Sequence, residues 1–166
     1  MSAHDAVWPA RLPAKITAPA TSLWMNLAIS AMRYPDKAAV VFMGRVWTYR
    51  ELMSSAEHLA GQLKALGVQA GDRVVLDMQN CPQLVITHFA ILRIDAVVVP
   101  VNPMNRAEEL KHYITDPDTQ VAVTTADLAP ELAQASEALP PEQRLKKLVV
   151  TQFTDVFDPD TVGPED

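Results

Sequence analysis

The segment from Trp47 to Asn102 constrains the fold more than any other part of this chain. It strings together a capped amphipathic helix, a Gly-Asp turn, a buried strand, a second helix and a second strand without a gap. Thr48 is a good N-cap and Glu51 stands three residues later, the spacing at which hydroxyl and carboxylate each satisfy an unpaired backbone N–H. Leu52, Ala56, Leu59, Leu63 and Leu66 then recur at alternating steps of four and three, sharing one stripe of a helix and leaving Arg50, Ser54, Glu57 and Lys64 outside it. Gly67 supplies a left-handed stop. Ala70-Gly71-Asp72 reads as a turn and Val74-Val75-Leu76 as a short apolar strand of a covered sheet. The next helix starts near Pro82, where a missing N–H costs nothing. It runs through Leu84, Val85, Ile86, Phe89, Ala90, Ile91 and Leu92, apolar on more than one face, so it is buried on several sides. Ala96 to Val101 is a second continuous apolar strand, closed by Pro100 and Pro103, which cannot donate to a ladder.

Flanking segments extend the alternation. Thr21 or Ser22 caps a helix through Leu23, Leu27 and Met32, stopped by Pro35. Ala38 to Met43 and Val46 to Thr48 flank Gly44-Arg45, a two-residue hairpin connection with glycine at its first position. Asn105 caps a helix with Glu108 at the boxed position, carrying Leu110, Tyr113 and Ile114 inward until Asp116-Pro117. A strand at Thr119 to Thr124, a helix from Pro130 to Leu139 and a strand at Lys147 to Thr151 complete an α/β pattern. The fold class is a mainly parallel sheet covered by helices on both faces. Residues 1–20, with Pro9, Pro13 and Pro19, read as an extended N-terminal arm, 21–151 as the α/β portion, and 152–166 as an acidic loop or linker.

With 166 residues the chain is one domain, large enough to bury about 70% of its unfolded surface. Fourteen basic against 20 acidic residues, a formal charge of -6, argue against nucleic acid as a partner. Five of those acids, Asp155, Asp158, Asp160, Glu165 and Asp166, follow Thr151 with no basic residue among them. The lone Cys81 excludes an internal disulfide and suits a reducing cytoplasm. The first residues carry no secretory pattern, and Leu84 to Val101 is interrupted by His88, Arg93 and Asp95, so no membrane span is expected.

Trp47-Thr48-Tyr49-Arg50-Glu51-Leu52 resembles the first core motif of the adenylate-forming enzymes, the superfamily of acyl-CoA synthetases, firefly-type luciferases and peptide-synthetase adenylation domains. Leu92 to Asn102 is similar to the second, usually written with Lys-Ala-Gly where this chain has Arg93-Ile94-Asp95. Asp95 in place of that glycine asks for a different turn, or for a helix end that tolerates a side chain. Leu23 to Asn26, Arg33 to Val40 and Glu108 to Lys111 fall where such synthetases carry similar text, so the resemblance runs over roughly Ser22 to Thr151.

The resemblance implies a complete enzyme that joins a carboxylic acid, fatty or otherwise apolar, to coenzyme A. ATP and magnesium drive the reaction through an acyl-adenylate, releasing AMP and pyrophosphate. It also implies that this chain is the N-terminal part of the large domain, ending before the phosphate-binding loop. The partners are then the rest of that domain, the C-terminal domain and a small carboxylic acid. The five glycines are scattered and form no phosphate loop. The chain alone is expected to be inactive and to bind none of the cofactors, with no catalytic, cofactor-binding or metal residue assigned. The competing reading is a stand-alone flavodoxin-like binding module. A fragment is expected to leave apolar surface uncovered, on the Leu84 to Leu92 helix or at the sheet edge, and to self-associate through it.

Individual candidates have simpler structural explanations. His58, His88 and His112 match no ligand spacing, and His58 and His112 fall on polar helix sides. Cys81 precedes a helix N-terminus, which favours a thiolate, but a free cysteine is ordinarily a small buried hydrophobe. Glu108-Glu109 suit the first turn of a helix. Pro100, Val101, Asn102 and Pro103 stand at the carboxyl end of a strand, where open α/β sheets bind ligands, but also simply turn the chain.

Overall fold

A computed structural model describes residues 8, 9, 11–13 and 15–156. Most of the acidic segment 152–166 therefore lies outside the described residues, as does part of the arm 1–20, whose described portion forms neither helix nor strand. The elements in chain order are α1 (Leu23–Arg33), β1 (Ala38–Phe42), β2 (Arg45–Thr48), α2 (Tyr49–Ala65), β3 (Arg73–Asp77), α3 (Pro82–Arg93), β4 (Val97–Val101), α4 (Ala107–Thr115), β5 (Val121–Thr125), α5 (Ala129–Glu137) and β6 (Lys147–Thr151). Two 3-10 turns, Pro141–Gln143 before β6 and Phe153–Val156 after it, complete the described elements.

Strands β4-β3-β5-β6, in that order, make one parallel sheet, and β1-β2 is a separate antiparallel hairpin. The chain enters the large sheet at β3, steps outward to β4, then crosses back to β5 and β6. The direction of winding reverses between β3 and β5, as it does in doubly wound folds. Helices cover both faces. Ala60, Leu63, Ala90 and Ile91 of α2 and α3 pack on Val74, Leu76, Val121 and Val123, while Leu110, Ile114, Leu132 and Ala135 of α4 and α5 pack on Val75 and Ala122. A third cluster seats Trp24 and Leu27 of α1 on Leu52 and Ala56 of α2, and Trp24 meets Phe89 of α3 edge-on at 6.5 Å.

The capping box forms as read: the Glu51 amide donates to Thr48 Oγ1 at 3.2 Å and the Thr48 amide to Glu51 Oε2 at 2.7 Å. That backbone bond, with the Thr48 hydroxyl, holds the Glu51 carboxyl below its ordinary pKa. Leu66 departs from the predicted stripe because it is the C-cap and points to solvent; Ala60 takes its place inside. In α1 the inward residues are Trp24, Leu27 and Ala31, while Leu23 and Met32 are exposed.

Three helices end in one way. At Gly67 (φ +100), Asp95 (φ +58) and Asp118 (φ +53) the chain turns left-handed, and two backbone bonds close each end. These are Gly67 N–H to Lys64 O with Val68 N–H to Leu63 O, Asp95 N–H to Leu92 O with Ala96 N–H to Ile91 O, and Asp118 N–H to Thr115 O with Thr119 N–H to Ile114 O. This is the Schellman arrangement. Asp95 thus adopts the conformation a glycine would supply, so of the two alternatives the helix end tolerates the side chain. Asp95→Gly is expected to stabilise the chain by about 0.5–1 kcal/mol, left-handed strain outweighing glycine's larger unfolded-state entropy. A rise in urea midpoint at constant slope is the readout, and no rise refutes the strain.

Three local readings need correction. The hairpin loop is Met43-Gly44 rather than Gly44-Arg45, with Phe42 opposite Arg45 and both loop residues at positive φ (+44 and +80). It is therefore a type I′ turn, whose twist matches the flanking strands. Strand β4 is an edge strand whose ladder runs through Pro100 to Val101, so Pro100 does not close it; an edge tolerates the missing N–H.

The start of α4 is the third correction. Its N-cap is Arg106 and the reciprocating acid is Glu109, whose Oε2 accepts the Arg106 amide at 2.7 Å, one residue later than Asn105 and Glu108. The next amide, Ala107, donates to Glu131 Oε2 at 3.1 Å, and Arg106 Nη1 lies 3.3 Å from Glu131 Oε1. A carboxylate from α5 therefore caps α4. Glu131→Ala is expected to cost about 1–2 kcal/mol and to raise hydrogen exchange in the first turn of α4; unchanged exchange there contradicts the cap.

The greasy helix α3 is covered, with no exposed residue from Pro82 to Leu92. Among the described residues the exposed apolar side chains include Leu23, Met25, Ile29 and Met32 of α1, Val41, Met43 and Val46 of the hairpin, Met104 after β4, and Val97 and Val150 at the two edges of the sheet, each of these last two 47% exposed.

Candidate functional site

Parallel strands bring their connecting loops to one edge. Here the carboxyl edge is made by residues 78–81 after β3, 102–106 after β4, 126–128 after β5 and 152–154 after β6. Two clefts open on it, one of about 490 Å³ lined by Met78, Gln79, Asn80, Asn102, Pro103 and Met104, the other of about 230 Å³ lined by Ala126, Asp127, Gln152, Phe153 and Thr154.

Asp77, the last residue of β3, is the group that sequence reasoning missed. It stands in register with Val101 on one side and Thr124 on the other, at the point where the winding reverses. It is 2% exposed, and its Oδ1 has no hydrogen-bond partner. Burial first, and the nearby Asp127 carboxylate second, push its pKa up to about 6. The visible signal was a carboxylate directly after the apolar run Val74-Val75-Leu76, where a side chain is too deep for full solvation.

The remaining candidates do not converge. Cys81, the N-cap of α3, is buried; burial raises its pKa against the Gln83 and Leu84 amides, with Asp127 adding to the rise, so the thiol stays protonated. His58 is exposed on α2 with Gln62 Nε2 at 3.0 Å from its Nε2. His88 packs edge-on against Phe89 at 5.4 Å, and burial lowers its pKa. His112, exposed on α4, lines a cleft of about 470 Å³ with Val99, Asn105, Glu109, Tyr113 and Asp116. Glu108 pairs with Lys111 at 2.7 Å and Glu109 caps the Arg106 amide, so the two carboxylates serve helix α4 separately. Asn102 Oδ1 accepts the Met104 amide at 3.0 Å, which shapes the turn after β4; Val101 is buried, Pro100 exposed and Pro103 half-buried. Among the described residues no group of three or more His, Cys, Asp or Glu is placed to hold a metal, and no helix is long and apolar enough to cross a membrane.

Comparison with known proteins gives one family. The model of the AMP-binding enzyme family matches residues 27–165. The long-chain-fatty-acid–CoA ligase of Bacillus subtilis (strain 168) is 35% identical over 126 residues, covering 76% of this chain and 22% of that protein. Triostin synthetase I of Streptomyces triostinicus is 42% identical over 83 residues, covering 50% of this chain and 16% of its own length. The solved structure of a Mycobacterium tuberculosis fatty acyl CoA synthetase superposes with a TM-score of 0.72 at 26% identity, covering 78% of this chain and 26% of that one. The long-chain-fatty-acid–CoA ligases it matches are covered over less than a quarter of their length. The fold, the two motifs and the family match agree: this chain belongs to the AMP-binding enzyme family.

Proposed function

We propose that this chain is the N-terminal scaffold of a cytoplasmic AMP-forming acyl-CoA synthetase acting on long-chain fatty acids. The complete enzyme uses ATP, magnesium and coenzyme A, and the 166-residue chain alone turns over nothing. The preference for fatty acids is supported by the relatives named as long-chain-fatty-acid–CoA ligases.

Inactivity of the isolated chain is supported by the chemistry of the carboxyl edge. A triphosphate is rich in acceptors and needs donors, ideally free amides at a helix start or in a glycine-rich loop. Two unpartnered buried acceptors stand at this edge, Asp77 Oδ1 and Gln83 Oε1, and the Asp127 carboxylate acts on Asp77. These acceptors at the edge support the reading that the phosphates of ATP are held by residues outside this chain.

The strand order β4-β3-β5-β6 equally suits a stand-alone flavodoxin-like module. Sedimentation separates the two, since the scaffold reading expects self-association through the bare sheet edges and a module expects a compact monomer. Fatty-acid-dependent pyrophosphate exchange, measured on a longer ligase chain that contains these residues, tests the activity. Exchange with long-chain acids supports the proposal, and exchange only with other acids, or none, removes it.

A further inference from the structure

Helix α1 is apolar on two faces, and only one of them is covered. Trp24, Leu27 and Ala31 form the buried face, with Trp24 and Leu27 packed on Leu52 and Ala56 of α2. The Arg93 guanidinium lies 5.3 Å from the Trp24 ring. Met25, Ile29 and Met32 stand at i, i+4 and i+7, a spacing that gathers them into a second stripe well round the helix from the first. All three are exposed, Met32 to 71%. A surface helix ordinarily turns polar or charged side chains outward, so this second stripe is apolar area open to an occupant.

Charge selects the occupant. The whole chain is acidic, at -6, yet from Ala6 to Pro35 it has no Asp or Glu and carries Arg11, Lys15 and Arg33. Arg33, four residues after Ile29, stands at the edge of the stripe; it is exposed and no carboxylate pairs with it among the described residues. The turn that follows adds Tyr34, itself exposed, with Lys37 Nζ 4.3 Å from its ring. Asp36, the one acid in this turn, is engaged by Arg50 at 3.0 Å. An apolar stripe edged by available cations and an exposed tyrosine suits the headgroup layer of an anionic membrane. The thioethers and the isoleucine enter the acyl boundary, while the guanidinium and ammonium groups meet the phosphates. A second copy fits this face poorly, because a two-fold contact through the stripe brings Arg33 and Lys37 of both chains together with no available acid to meet them.

We propose that the outer face of α1, Met25, Ile29 and Met32 with Arg33, Tyr34 and Lys37, docks on an anionic lipid surface. At 11 residues α1 is too short to span a bilayer, so it lies in the interface plane. None of these six residues belongs to the loops of the carboxyl edge, and the inference does not depend on the ligase reading.

Cosedimentation of this chain with vesicles tests it, comparing phosphatidylcholine alone with phosphatidylcholine containing about one-third phosphatidylglycerol. Binding is expected to be about tenfold or more tighter on the anionic vesicles at about 0.1 M salt, with the gap closing as salt is raised. The triple substitution Met25→Gln, Ile29→Gln, Met32→Gln lowers the affinity for anionic vesicles about tenfold, as does the double substitution Arg33→Gln, Lys37→Gln, and only the double variant weakens the salt dependence. All five substituted side chains are exposed, so urea midpoints stay close to wild type and the losses report the surface. Val150→Gln, at the edge of the sheet, is the control and keeps wild-type binding. No binding to anionic vesicles, equal binding to both kinds, a triple variant that binds as wild type does, or an equal loss in Val150→Gln overturns the proposal. A dimer that the triple variant dissociates, in the absence of lipid binding, overturns it as well and assigns the face to a second copy.

Discussion

Replacing Ile91 by alanine lowers the unfolding free energy by about 2–5 kcal/mol, the range for emptying a core site that cannot collapse. Ile91 is fully buried, in the cluster where α2 and α3 meet the sheet, among Leu63, Val74 and Leu76. Its neighbours are held from independent directions by α2, β3 and β5, so relaxation into the cavity is limited. Its carbonyl also accepts the amides of Ile94 and Ala96 at the helix end; alanine keeps those bonds, so the loss reports packing alone. Against a total stability of about 5–15 kcal/mol for a domain, such a loss leaves little margin. Met32→Ala, in a side chain 71% exposed on α1, serves as the control and is expected to stay within about 0.5 kcal/mol. Urea unfolding of the three chains checks the contrast, and equal losses for Ile91 and Met32 contradict the assignment of the core.

The second large effect is a pH-dependent gain from Asp77→Asn. A carboxyl whose folded pKa is raised from 3.8 to about 6 favours the protonated form when folded. Between those two values the folded chain binds more protons than the unfolded chain, so the Asp77 contribution to stability falls as pH rises through the window and stays low above it. The full penalty is on the order of 3 kcal/mol. Asparagine has no charge to desolvate, so it is expected to exceed wild type by that order at pH 7.5, by progressively less toward pH 5, and by almost nothing below pH 4. Comparing the two proteins at each pH matters because His88, whose pKa burial lowers, opposes folding as acid charges it, and Glu51 loses its cap contribution as it protonates. A constant difference across the range contradicts a buried ionisable Asp77.

Local chemistry carried much of the architecture into plain sight. Thr48 with Glu51 marks the start of α2, Gly67 its end and Pro82 the start of α3, each through bonds made within a few residues. The apolar runs at Val74 and Val121 marked strands that are buried on both faces. What stayed hidden depends on distance or on backbone angles that composition does not specify. The cap of α4 comes from Glu131, 24 residues beyond the amide it accepts. Asp95 and Asp118 hold a turn that sequence reserves for glycine, and the hairpin places Met43 at positive φ, so its register moves by one residue. Asp77 follows the apolar run Val74-Val75-Leu76, but only the register sets it between Val101 and Thr124 under cover. The family motifs were legible for a related reason: the Trp47 to Leu52 and Leu92 to Asn102 segments mark where α2 begins and where α3 passes into β4.

The central proposal is that this chain is the first scaffold of an adenylate-forming ligase and by itself holds no triphosphate. Calorimetric titration of magnesium ATP into the isolated chain tests it most directly. The account predicts no saturable heat at millimolar nucleotide; stoichiometric binding with a micromolar Kd would contradict it.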